Sequence, residues 1–351
     1  MNTEAAGQRS ESEAGRRGHT LAEFRGEEQY TATRELTCRH CSTRNRVLIG
    51  EAVEHPARVR CGRCRQPLFL DDGEPLGGIV ARCYQHELDR QTLAALQKLP
   101  GLDALIKWLL KELGERSWKL FNMASAVRCG PGQFARFHEL FQEAARRLDV
   151  QPVPELYVVQ SPSPNALTSG VDEPFVVATS AMLEMMSEQE LLSVFGHELG
   201  HIQANHVLYK TLAQVMSNAA AFIAQATLGI GRLVLYPLQL ALLKWDRCSE
   251  LTADRASLLA VRNPDVVVRT AMKLAGGGHH LYGEMSSRAF IQQSRDLAEL
   301  EKGHVLNQAI SLLQNVGRTH PFPVWRTYHL LDWVDRGEYL DILSGSYERR
   351  S

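Results

Sequence analysis

This 351-residue sequence has no excess of charge of either sign: 39 Lys and Arg against 40 Asp and Glu leave a formal net charge of −1. A protein working through a whole-molecule field, on nucleic acid or anionic membranes, would carry a strong bias, so that class is excluded as the organising theme. The first twenty residues lack an apolar h-region. No secretory signal is therefore expected, and the expected location is cytoplasmic rather than secreted. A paired set of cysteines is lacking too. Seven cysteines, four of them in C-x-x-C units, without an export signal, exclude a disulfide framework and point to metal binding by reduced thiols. What is present is a globular composition, 44% hydrophobic and 23% charged, long enough for one large domain or two smaller ones.

Residues 1–33 are rich in Glu, Arg, Gly and Ser and are expected to be a disordered tail. Cys38 and Cys41, then Cys61 and Cys64, follow as two C-x-x-C knuckles. Four thiolates at that spacing suit one tetrahedral zinc ion with no position left open, hence a structural site. Arg46–Ile49 and Ala57–Arg60 read as short strands between them, and residues 34–70 resemble a zinc ribbon such as the one preceding some bacterial thioredoxins. A redox dithiol would need a βαβ setting that this stretch does not offer. The module is basic, with Arg39, Arg44, Arg46, Arg58, Arg60, Arg63 and Arg65 against Glu51 and Glu54. A protein partner is one reading, and simple balance of a formally −2 zinc–thiolate centre is the other. Nucleic acid is disfavoured, because no aromatic residues are interleaved to stack on bases. Residues 71–87 open with Asp71-Asp72-Gly73-Glu74-Pro75, a linker composition, so the ribbon and the large domain at 88–345 are expected to move as separate bodies.

Within the large domain, apolar periodicity predicts helices from about Leu88 and over Phe134–Leu148. Strands are predicted at Leu156–Val159, Asn165–Gly170 and Phe175–Thr179. A helix then begins at Ser187, whose pairing with Glu190 is a capping-box signature. This helix carries His197-Glu198-Leu199-Gly200-His201, an H-E-x-x-H match. Two histidines four apart lie about 40° apart on a helix, one turn above each other, so both can reach one metal ion. Glu198 lies about 100° round, able to touch a bound water without being a ligand. A hairpin just before such a helix can offer a sheet edge to an extended substrate, which makes Asn165 and Ala166 candidate substrate contacts.

Two histidines leave a catalytic zinc one protein ligand short. A metzincin would place a third histidine six residues after His201, with a glycine between; His206 is five on and that glycine is missing. A glutamate from a later helix is the other solution, and Glu250 in Glu250-Leu251-Thr252-Ala253-Asp254 is the candidate. Glu250 and Asp254 share a face of a largely apolar helix, where they need a metal, a partner or the surface. The ordered set NALTSG, SEQELLSVFGHELGHIQANH, ELTAD and Thr319-His320-Pro321 resembles the M48 family of zinc metallopeptidases, from about Leu88 to Trp333. The resemblance implies an α+β, mainly helical fold: a zincin-like peptidase domain with a small antiparallel sheet, preceded here by the ribbon. It implies His197, His201 and Glu250 as zinc ligands, Glu198 as catalytic base and Asp254 as the residue orienting a histidine. It implies His320, or Arg326 after it, as an aid to the oxyanion or the substrate.

The expected activity is therefore zinc-dependent endopeptidase action on polypeptides, in protein quality control, with one catalytic and one structural zinc. The alternative is a non-catalytic, zinc-stabilised adaptor or regulator acting through the ribbon. Residues 219–243 are almost uninterruptedly apolar and long enough to span a bilayer, although Arg232 costs roughly 2.5–3.5 kcal/mol there and Pro237 breaks the run. Contact with the inner face of the cytoplasmic membrane is one expectation for this segment and a buried helical pair the other. The motif helix is expected to run straight into it. His206, His279, His280 and His304 are expected to be surface or packing residues.

Overall fold

The computed structural model describes residues 32–102, 104, 106, 124–213, 215–216, 230–301, 320 and 322–350. Most of the tail expected to be disordered, part of the apolar interval, His304, Thr319 and Pro321 lie outside them.

Strands β1 (Thr33–Thr37) and β2 (Arg44–Leu48) form an antiparallel pair, followed by a short helix α1 (Ile49–Glu54). The strand expected at 57–60 is instead a 3₁₀ turn, Pro56–Arg58, with one bridge from Arg60 to Pro67. Pro56 at the first helical position, with its fixed φ and no N–H to give a ladder, favours the turn. The ribbon does not hang free. Leu36, Val47, Ala52 and Phe69 belong to the same hydrophobic core as Leu148, Leu258 and Trp333. Leu70 N–H donates to the Leu343 carbonyl at 2.8 Å, and Arg34 Nε donates to Asp341 at 3.1 Å.

The expected linker is corrected in the same way. Leu76 and Ile79 are buried. Leu76 N–H donates to the Arg147 carbonyl at 2.9 Å, and Arg262 reaches the carbonyls of Asp71 and Glu74. Its Gly and Pro residues shape turns, and its buried Leu76, Ile79 and Tyr84 outweigh them by anchoring the path.

Helix α2 (Glu87–Leu96) precedes a four-stranded sheet of β3 (Val127–Arg128), β4 (Glu155–Val159), β5 (Ala166–Ser169) and β6 (Phe175–Thr179). Helix α3 (Ala135–Arg147) lies between β3 and β4 in the chain. The sheet order is β3-β4-β6-β5. The α+β class holds, but the sheet is mixed: β4 and β6 run parallel, while β5 turns back against β6 as a hairpin. That arrangement leaves β5 on an edge.

Helix α4 (Ser180–Met185) leads into α5 (Glu188–Gln203). The capping box forms as read: Glu190 N–H reaches the Ser187 hydroxyl, and Ser187 N–H donates to the Glu190 carboxylate at 2.8 Å. α5 does not run straight on. Asn205 adopts φ +56° and His206 N–H turns back to the His201 carbonyl, so helix resumes only at 207. The long α6 (Ile230–Val261) follows, then α7 (Pro264–Gly276), α8 (Ser287–Glu301), α9 (Pro323–Asp335) and α10 (Glu338–Leu343). Among the described residues no helix is long and apolar enough to cross a membrane.

One close approach sets the centre of the molecule. A Cβ on Gly196 would stand 2.6 Å from Ala260 Cβ, and one on Gly200 would stand 2.5 Å from Ala256 Cβ. The two glycines are one helical turn apart, so α5 lies against a small-residue stripe of α6. No larger side chain fits between them. This proximity carries His197, Glu198 and His201 to the acidic face of α6.

Candidate metal centres and the adjoining cleft

His197 and His201 present their rings from successive turns of α5, with centroids 4.8 Å apart. His197 Nε2 lies 3.3 Å from Glu250 Oε2, and His201 Nε2 lies 3.2 Å from Glu250 Oε1. Both Nε2 atoms are buried and neither has a hydrogen-bond partner. A buried polar atom left so costs about 1–3 kcal/mol, and here two of them aim at the same point beside a carboxylate. Ligand atoms of His197, His201, Glu250 and His320 all lie within 4.8 Å of one another. Imidazole nitrogens and one carboxylate are a donor set suited to zinc, so the residues fit such an ion.

Partners fix these groups from behind. His197 Nδ1 meets Asp254 Oδ1 at 3.1 Å, and Asp254 Oδ2 accepts from Arg326 Nε at 2.7 Å. Arg326 Nη1 also lies 3.0 Å from Glu250 Oε2. Glu250 Oε1 accepts from Lys210 Nζ at 2.6 Å, and Lys210 reaches Asp246 at 2.9 Å. Burial alone would raise the Glu250 carboxyl, but the charges of Lys210, His320 and Arg326 outweigh it and hold it well below the usual range. Burial likewise opposes ionisation of Asp254, and Arg326 reverses the balance. His197 is raised to about 9, against burial, by Asp254 and Glu250. Burial and the charge of Lys210 hold His201 well below its ordinary value. Behind His201 stands His206, with the two Nδ1 atoms 3.0 Å apart.

Glu198 is buried, and its Oε2 accepts from the Thr168 hydroxyl at 2.7 Å. His320 bridges the site: Nδ1 lies 2.8 Å from Glu250 Oε2, Nε2 donates to the Ala166 carbonyl at 2.8 Å, and Nε2 lies 3.5 Å from Glu198 Oε1. These groups open on a cleft. Its lining includes the apolar Met182, Val194, Val267 and Leu274 as well as Arg326. Strand β5 borders it. The Asn165 carbonyl is used within the sheet by Thr179 N–H, whereas the Ala166 carbonyl turns outward to His320. Alternation along an antiparallel strand turns the backbone groups of Thr168 the same way.

The second cluster lies in the ribbon. Cys38 Sγ is 3.6 Å from Cys64 Sγ, and Cys41 Sγ is 3.6 Å from Cys61 Sγ, with all four sulfurs within 4.8 Å. Backbone N–H groups of Cys64 and Arg63 lower the Cys61 thiol to about 6. The close spacing of four sulfurs suits a metal held for structure.

The structure thus brings together His197, Glu198, His201, Glu250 and His320, with Asp254 at the back of His197. Arg326, expected to meet substrate, is buried against Asp254 and Glu250 while touching the cleft. His206, expected to be a surface or packing residue, is fully buried and hydrogen-bonded to His201 and Asp89. Reasoning from sequence also passed over Thr168, Lys210, Asp246 and Asp89. Asp246 carried a readable signal, being four residues before Glu250 on the same helix face. The others come from separate elements and carried none.

The model of a family described as peptidase family M48 matches residues 131–334. The chain is 33% identical over 290 residues to a plastoglobule-localized metallopeptidase 48, chloroplastic, of Arabidopsis thaliana, spanning 82% of this chain and 81% of that protein. It is 26% identical over 240 residues to a protease HtpX homolog of Ralstonia pickettii, spanning 63% and 81%. It is 22% identical over 293 residues to a protease HtpX homolog of Polynucleobacter necessarius, spanning 78% and 93%. No solved structure matches the chain.

Proposed function

Because this chain belongs to peptidase family M48, we propose that it is a zinc-dependent endopeptidase acting on polypeptides. The observation that carries the reading is the pair of buried, unpartnered Nε2 atoms facing Glu250, with Glu198 and an open cleft beside them. His197, His201 and Glu250 hold the catalytic ion in this reading, and Cys38, Cys41, Cys61 and Cys64 hold a second, structural one. Zinc in the first site supplies Lewis acidity toward water and toward the scissile carbonyl.

The remaining work belongs to side chains. Glu198 takes the proton of the attacking water and passes it to the leaving amine. Thr168, bonded to Glu198 Oε2, fixes the carboxylate for that transfer. His320, placed between Glu198 and Ala166, donates to the carbonyl oxygen as charge develops. The outward groups of Ala166 and Thr168 bind an extended substrate as an added strand, and the apolar lining of the cleft takes one of its side chains. Recognition through backbone favours chains that are locally unfolded, so protein quality control is the setting we assign.

Glu198→Gln is the test. It should retain zinc while cleavage of casein or a quenched peptide falls about 10²–10⁴-fold. Undiminished cleavage by a zinc-loaded variant overturns the mechanism.

A further inference from the structure

We infer that Asp89 and His206 are positioning residues that set the tautomer and orientation of His201 through an ordered chain of hydrogen bonds. The inference rests on the zinc reading of the His197–His201–Glu250 centre. A neutral histidine that ligates through Nε2 carries its proton on Nδ1. His201 Nδ1 lies 3.0 Å from His206 Nδ1, and two such nitrogens bond only when one bears the proton and the other is bare. His206 must then be bare at Nδ1 and protonated at Nε2, which lies 3.1 Å from Asp89 Oδ2.

Asp89 is in turn fixed. Its Oδ1 accepts from Trp245 Nε1 at 3.0 Å, and its Oδ2 accepts from the Thr252 hydroxyl at 2.7 Å and Gln85 Nε2 at 3.1 Å. Asp89, His201, His206 and Trp245 are all fully buried, so water cannot replace a missing partner. A carboxylate that only accepts stands at one end, and with His206 neutral one placement of protons satisfies every atom between it and His201. The opposite tautomer of His201 would aim an N–H at Glu250 and leave no lone pair for a metal. The left-handed turn at Asn205 is what puts His206 beneath His201. Asp89 comes from α2, outside the 131–334 family match, so a segment before the peptidase core supplies this control.

The test uses the full-length zinc-loaded protein, with the ribbon zinc as internal reference. Affinity is read by chelator competition, and tautomers by ¹⁵N spectra of labelled histidines. Asp89→Asn and His206→Leu should each weaken zinc at the histidine centre about 10–100-fold and leave the ribbon zinc in place. His206→Gln should restore most of the loss, because its carbonyl accepts from His201 and its amide donates to Asp89. The wild-type spectrum should show His206 protonated at Nε2. If Asp89→Asn does not fold, the Leu and Gln pair at 206 carries the comparison. Wild-type affinity in Asp89→Asn and His206→Leu, or equal weakness of the Leu and Gln variants, overturns the inference. A wild-type protein holding only the ribbon zinc overturns the metal-centre reading itself, and this inference with it.

Discussion

Replacing Gly200 with alanine adds one methyl group where α5 and α6 touch. That methyl would stand 2.5 Å from Ala256 Cβ and 3.3 Å from Ala253 Cα. Carbon atoms rest at about 3.5–4.0 Å, so the helices must separate by roughly 1 Å. Overpacking of this kind costs about 1–3 kcal/mol, offset by up to about 1 kcal/mol from the better helix propensity of alanine. The larger effect falls on the metal. His201 and Glu250 sit on the two helices being pushed apart, and zinc tolerates only about ±0.2 Å in its ligand distances. Gly200→Ala should therefore lose zinc affinity out of proportion to its stability. Adding Ala256→Gly removes the closest clash, and a double-mutant cycle should return a coupling of about 1–3 kcal/mol. Urea unfolding and zinc competition on the four proteins of the cycle measure both quantities. A Gly200→Ala protein with unchanged zinc affinity, or a cycle with no coupling, refutes the argument that this contact sets the ligand spacing.

Lys210→Met leaves Asp246 and Glu250 without the ammonium they share. It should destabilise the metal-free protein by about 3–5 kcal/mol, seen as a lower urea midpoint, with zinc restoring part of the loss. Cys61→Ser should lower the zinc content from two ions to one and also lower Tm, because the ribbon shares its core with the large domain. Acid should weaken the fold through His86 and His329, whose rings meet at 5.2 Å. Burial and Arg255 lower His86 to about 3, and burial and Arg247 lower His329 to about 4, with Arg336 adding to both and Asp89 opposing at His86. Unfolded histidine titrates near 6.5, so the unfolded chain takes up these protons first. Stability is complete above about pH 6.5 and lost below it, by about 2 kcal/mol per histidine at pH 5. His329→Gln should remove about that much of the difference between urea unfolding at pH 8 and at pH 5.

What could be read in advance follows a simple division. His197, His201, Glu250 and Asp254 were legible because helical spacing fixes which side chains share a face. The Ser187–Glu190 capping box was legible for the same local reason. Thr168, Asp89 and Lys210 were not, because their partners lie in other elements and no spacing rule links them. The bond between His206 and His201 was not legible, because continuing the helix through Asn205 would have carried His206 away from His201. Gly196-x-x-x-Gly200 against Ala253, Ala256 and Ala260 was open to reading, since small residues at that spacing permit close helix contact. The linker reading failed because composition counted Gly, Pro and acids, while Leu76 and Ile79 decided the packing.

The contact between the ribbon and α10 has a consequence for synthesis. Arg34 and Asp341 are separated by 307 residues. At about 5–20 residues per second, the ribbon waits on the order of 15–60 s for the surface it docks on. During that interval Leu36, Val47 and Phe69 lack the α10 members of their hydrophobic core, Tyr339, Leu340, Ile342 and Leu343. A ribosome that stalls late therefore releases a chain whose ribbon has been made while part of its apolar core is still uncovered.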